Sequence, residues 1–195
     1  MSALRTSIFV LAFASIFISC GTSSRDNAST PSTVLEGVWV LDRCSNGTPL
    51  YKTTAKFSGT SIQISITEWS QSGCMGTMQQ EDSLAGTFSL GTAGESYTPI
   101  DQLFASRTMT PKTAEVAANW NKNKVCEFND WIAGASKTFT MKECSGTFYF
   151  PVKVYDIFKI TNSSVGFGDV TTDLDTSSSD KRPKKISTNV VYTKS

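Results

Sequence analysis

Between Ser61 and Trp69 the chain alternates without a break: Ile62, Ile64 and Ile66 fall on one side, and Gln63, Ser65 and Thr67 on the other. A helix would scatter the three isoleucines around its axis, whereas a strand gathers them on one face, so the run reads as a half-buried strand. The segment before it repeats the rhythm, with Tyr51, Thr53, Ala55 and Phe57 on one face and a Gly59-Thr60 turn leading into the isoleucines. Further strand runs are Cys74 to Gln80, Leu84 to Leu90, Ile100 to Arg107, Lys137 to Lys142, Val152 to Thr161, Val165 to Val170 and Ile186 to Thr193. Asn162-Ser163-Ser164 reads as the hairpin turn between two of them. Many short strands with polar turns predict a mainly β domain, an antiparallel barrel of about eight to ten strands.

One stretch leaves this rhythm. Thr110-Pro111 has the form of an N-cap followed by proline at the first helical position, where its missing N–H costs nothing. Ala114, Val116, Ala117, Ala118 and Trp120 follow at helical spacing, ending near Asn121 to Asn123. The spacing predicts one short amphipathic helix inserted mid-chain, plugging an end or a side of the sheet, with Trp120 as core packing.

The N-terminus carries a different signal. Arg5 precedes an apolar run from Ile8 to Ile18, the form of a secretory signal peptide and too short to span a bilayer. The run ends Phe17-Ile18-Ser19-Cys20, which resembles a bacterial lipobox. That resemblance implies cleavage before Cys20, acylation of Cys20, and attachment to a membrane through the N-terminal acyl chains. In Gram-negative bacteria an aspartate after the lipidated cysteine retains the protein in the inner membrane; Gly21 holds that place, so the resemblance points to the outer membrane of the cell envelope. Gly21 to Thr33 contains no large apolar residue and reads as a tether. The expected organisation is a signal peptide over 1–19, a lipidated cysteine and tether over 20–34, and a barrel domain over 35–195.

Lipidation of Cys20 accounts for one of the five cysteines. Cys44, Cys74, Cys126 and Cys144 remain, in a chain exported to an oxidising compartment where disulfides persist. Four cysteines admit three pairings. Cys44 with Cys74 and Cys126 with Cys144 are expected, because each pair brackets a compact run of strands. Zinc is not expected, since there is no C-x2-C spacing and no histidine.

Gly37-Val38-Trp39 opens the first strand directly after the tether and resembles the Gly-x-Trp signature of lipocalins and their bacterial lipocalin-like relatives. The resemblance implies a barrel whose floor is crossed at Gly37 and closed by Trp39, and an arginine from near the chain end over the indole, for which Arg182 is the candidate. A lipocalin carries its helix after the eighth strand, whereas here the helix falls mid-chain.

The chemistry is narrowed mainly by what is missing. Without histidine there is no Ser-His, Cys-His or His-metal scheme. No carboxylate pair or phosphate-cradling glycine loop stands out, so neither enzyme activity nor a cofactor is expected. Eighteen basic against 17 acidic residues, a net charge of +1, lack the basic excess of a nucleic-acid binder. Asp169, Asp173, Asp175 and Asp180 before Lys181, Arg182, Lys184 and Lys185 read as a solvated loop entering the last strand. The expected function is binding of a small apolar or amphipathic molecule in the barrel mouth, with Tyr51, Phe57, Ile62, Ile64, Ile66, Phe88 and Tyr192 as inward candidates. The alternative is an envelope scaffold or protein-interaction module with a filled barrel.

Overall fold

The computed structural model describes residues 33–44, 51–140 and 152–195. Cys20, Cys144 and the segment expected to be a signal peptide lie outside the described residues. The strands are β1 (Gly37–Asp42), β2 (Tyr51–Ser58), β3 (Ser61–Gln71), β4 (Met75–Leu90), β5 (Thr98–Pro111), β6 (Lys137–Phe139), β7 (Val152–Thr161), β8 (Ser164–Gly168) and β9 (Ile186–Lys194), with a helix α1 (Ala114–Lys122) between β5 and β6. Each of β1 to β5 pairs antiparallel with the next, β5 continues to β7, and β7, β8 and β9 lead back to β1. The result is a closed eight-strand antiparallel barrel, with β6 paired to β5 beyond the point where β7 begins. Closure leaves these eight strands no long free edge to pair with another chain.

The two ends of the barrel differ. One end gathers the start of β1, the β2–β3 turn, the β4–β5 loop, the β7–β8 turn and the end of β9. Leu35, Trp39, Phe57, Ile62, Phe88, Ile100, Phe158, Val165 and Tyr192 belong to the core cluster that fills this end. Phe57 and Phe88 meet edge to face at 5.1 Å, a favoured aromatic geometry. The Trp39 indole N–H donates to the Leu35 carbonyl at 2.7 Å, so the N-terminal turn is fastened across the floor. Gly37 adopts φ 117°, a conformation open to glycine and strained for other residues. Glu36 adds a second clasp by accepting from the Gly59 N–H at 2.9 Å.

The cation above the Trp39 ring is Lys194, at 5.3 Å from its centroid. Lys194 is the register partner of Trp39 in β9. Arg182 therefore does not hold the place expected of it. It packs over Tyr155 and donates to the carbonyls of Ile100 and Asp156 and to the Asp101 carboxylate, which fastens the β8–β9 loop across β5 and β7.

Two other expectations change. The runs Cys74 to Gln80 and Leu84 to Leu90 are one 16-residue strand, β4. Its polar middle is held by cross-strand partners: Gln80 donates to Glu68 at 2.8 Å, and Ser83 bonds Gln63 and Ser65. Thr110 and Pro111 do not start the helix; they end β5, paired with Glu81 and Gln80. The cap is Thr113, whose hydroxyl accepts from the Val116 N–H at 3.2 Å. Glu115 in the first turn and Lys122 in the last complement the helix dipole.

The helix serves a second core at the opposite end of β5. Met109, Ala117, Trp120, Cys126, Trp131 and Phe139 pack together there, with Trp120 against Trp131 at 4.8 Å. Trp120 is thus core packing, as its spacing predicted. The disulfide Cys44–Cys74 ties the end of β1 to the β3–β4 turn, with 4.9 Å between the α-carbons. Cys126 is also disulfide-bonded; its expected partner, Cys144, lies outside the described residues.

Candidate functional site

Inward side chains fill the floor of the barrel and leave space above it. β5 and β7 set the geometry, because their register places Ile100 opposite Asp156, Gln102 opposite Val154 and Phe104 opposite Val152. A bulge in the β4–β5 ladder between Ala85 and Gly86 shifts the register before Arg107. Gly86 permits this crossing, since a β-carbon there would collide with the Leu103 carbonyl.

Two adjoining cavities result. The first, of about 280 Å³, is walled by Ile66, Leu84, Phe104, Val152 and Val154, with Asp82 and Arg107 on its rim. The second, of about 270 Å³, runs from Phe57, Ile62 and Ile64 past Gln102, Phe104, Val154, Asp156 and Tyr192 to Val170. Phe104 and Val154 line both, so the two meet across these side chains. Val170 is 58% exposed and lies at the mouth.

The charged groups of the first cavity neutralise each other. Arg107 Nε donates to both Asp82 oxygens at 2.9 and 3.0 Å, and Nη2 donates to Oδ2 at 2.5 Å. This forked pair is the strong form of a charge-assisted bond and neutralises the Arg107 charge at the cavity wall.

The second cavity is less balanced. Asp156 Oδ1 accepts from the N–H groups of Ile157 at 2.7 Å and Gly168 at 3.1 Å, where β8 ends. Its Oδ2 has no partner among the described residues. Burial pushes the Asp156 carboxyl above the usual carboxylate range, against the two backbone donors and the positive charge of Arg182. Gln102 is 5% exposed, and no described residue hydrogen-bonds its amide. Burial, with Tyr51 and Asp156 adding to it and Arg43 opposing, pushes the Tyr192 phenol up to about 12.

The Asp156 shift carries a pH dependence of known sign. A carboxyl whose folded pKa lies above its unfolded value favours folding most when protonated, and this contribution is lost as pH rises through the folded pKa. Asp156→Asn keeps an oxygen acceptor for both N–H groups and removes the buried charge. The variant is therefore expected to gain stability relative to the parent as pH rises from about 3 to about 7, with little difference at the acid end. Urea midpoints measured for both proteins across that range check this; a gain that shrinks with rising pH would be the wrong sign.

Of the seven side chains expected inward, Phe57, Ile62, Ile64, Ile66 and Tyr192 line the cavities. Phe88 packs in the floor beneath them. Tyr51 stands at the other end of β2, with the Arg43 guanidinium over its ring at 5.8 Å. Gln102, Phe104, Val154 and Asp156 were not among the expected lining residues. Asp42, Cys44 and Cys74 bring three ligand-type atoms together, but both sulfurs belong to the disulfide. Among the described residues no helix is long and apolar enough to cross a membrane. No protein-family model matches the chain, and no curated protein sequence matches it.

Proposed function

We propose that this chain is a lipid-anchored protein of the bacterial envelope whose lipocalin-like barrel binds a small apolar or amphipathic molecule. The observation that carries the reading is the pair of adjoining cavities, about 280 and 270 Å³, that meet at Phe104 and Val154. An apolar lumen with a few convergent polar groups is the common form of a small-molecule site, and an eight-strand barrel whose interior is not filled by side chains has room for one small ligand. The anchor rests on the lipobox-like ending at Cys20, the outer-membrane address on Gly21, and the stand-off from the bilayer on the polar tether. More than one acyl chain would hold the protein stably, since a single chain binds only marginally.

Two measurements test the halves of this reading separately. Protein taken from its own envelope, extracted with organic solvent and analysed by mass spectrometry, is expected to release a stoichiometric apolar molecule. The emptied protein is expected to take up a solvatochromic apolar probe with a Kd of about micromolar order. Absence of both a copurifying molecule and probe uptake would overturn the binding reading in favour of a scaffold. For the anchor, Cys20→Ser is expected to move the protein from the membrane fraction to the soluble fraction; retention on the membrane refutes lipidation at Cys20.

A further inference from the structure

The lumen reading leaves open which head group the site prefers, and the charge distribution of the cavity walls bears on that choice. We propose that the second cavity takes the primary ammonium head of an amphiphile, held by Asp156, Gln102 and Tyr192, with its alkyl part lying along Phe104 and Val154 into the first cavity. This rests on the proposed lumen binding and adds the class of ligand.

The ionisable residues lining the two cavities are Asp82, Arg107, Asp156 and Tyr192. Asp82 and Arg107 cancel in their forked pair, so Asp156 is the carboxylate lining the lumen that has no direct ion pair among the described residues, Arg182 acting on it without contacting its carboxyl oxygens. The surrounding cations are engaged elsewhere. Arg182 gives one arm to backbone carbonyls and the other to Asp101, and Lys194 stands over Trp39 in the floor. Arg43 donates to the Asn189 carbonyl and stacks on Tyr51.

An anionic head would face Asp156 with no cation to receive it, and like charges in a poorly hydrated space repel strongly. A hydroxyl would satisfy one acceptor and leave the carboxylate charge unpaired. An ammonium offers three donors and a compensating charge. Asp156 Oδ2, the Gln102 amide oxygen and the Tyr192 hydroxyl supply acceptors for them, and none of the three has a hydrogen-bond partner among the described residues. Gln102 is the second, independent observation: the residue is 5% exposed and lines the same cavity as Asp156 and Tyr192. An amide that lines a cavity without a protein partner is open to a hydrogen bond from a ligand or ordered water.

The test compares decylamine, decanol and decanoate, each below its micelle concentration, by calorimetric titration into the full chain carrying Cys20→Ser. Decylamine is expected to bind at least about tenfold more tightly than decanoate, with decanol between them. Asp156→Asn is expected to lower decylamine affinity about tenfold and to change decanol affinity less than about twofold. Gln102→Leu, which touches no strand hydrogen bond, is expected to weaken decylamine as well and guards against a misfolded Asp156 variant. Decanoate binding as tightly as decylamine, or decylamine affinity unchanged in both variants, overturns the head-group assignment and leaves the lumen reading standing. Binding of none of the three to the parent protein overturns the lumen reading itself.

Discussion

Trp39→Ala is expected to lower the unfolding free energy by roughly 3 to 5 kcal/mol, as large aromatic truncations in packed cores do. Trp39 is 1% exposed and its neighbour Leu35 is fully buried, so the cavity left behind has no solvent to fill it cheaply. The loss has three parts that separate experimentally. The first is apolar contact with the floor cluster around Phe57 and Phe88. The second is the indole donor to the Leu35 carbonyl. The third is the Lys194 ammonium over the ring, worth about 0.5 to 1 kcal/mol at an exposed site. Trp39→Phe keeps a ring and most of the buried area but orphans the Leu35 carbonyl, which is expected to cost about 1 to 3 kcal/mol. Equilibrium urea unfolding gives the totals. Hydrogen exchange locates them: protection should fall at Glu36 and at the Gly59 amide that Glu36 clasps, and stay unchanged around Trp120 in the second core. A Trp39→Ala loss below about 1 kcal/mol would mean the floor does not depend on this residue.

The alternating strands were legible because each has one apolar face that must be buried, and a shift of one residue would invert it. That is why β3, β7 and β9 are found close to where the sequence places them. The sequence divides β4 after Gln80, because Glu81 to Ser83 is polar enough to look like a turn. In the barrel Gln80, Ser83 and Asp82 find partners on both flanking strands, through Glu68, Gln63 and Arg107, so polarity does not break the ladder. Thr110-Pro111 imitates a helix start, but pairing with β4 keeps both in β5 and the helix begins after Thr113. Local capping chemistry was overridden by a tertiary ladder.

The candidate site was only half legible, for a related reason. Looking for apolar inward residues finds Ile64 and Ile66 and passes over the polar ones that give a lumen its chemistry. A signal for them was nevertheless present. Asp156 has the same parity as Val152, Val154 and Phe158, and Gln102 the same as Ile100 and Phe104, so each is a polar residue on an apolar face. No such signal distinguished Arg182 from Lys194. Which cation covers Trp39 follows from the β1–β9 closing register, a pairing between opposite ends of the described barrel. The bulge at Gly86, which decides that Arg107 meets Asp82, is likewise a property of the paired strands and not of either alone.

Removing the Cys44–Cys74 bridge by the double substitution Cys44→Ser/Cys74→Ser is expected to cost at most roughly 3 to 4 kcal/mol. The two cysteines are 30 residues apart, and in the chain-entropy picture a loop of that length restricts the unfolded ensemble by about this amount. For a domain of this size the melting temperature should fall by roughly 10 °C. The bridge acts on the folded state as well, because it spans β2 to join β1 to the β3–β4 turn. There the Gly73 N–H donates to the Cys44 carbonyl at 2.5 Å. Cys74 sits at φ 51°, a left-handed conformation that costs a non-glycine residue about 1 to 2 kcal/mol. Freed of the bridge, the turn can relax, and that relief offsets part of the entropic loss. The double variant should therefore lose less stability than loop closure alone implies, while amide protection at this end falls and protection at Trp39 persists. The double substitution is the right comparison, since a single one would leave a thiol able to exchange with the disulfide at Cys126. An unchanged urea midpoint would show that the barrel's own hydrogen-bonded closure already restricts this end, and that the bridge adds nothing to folding.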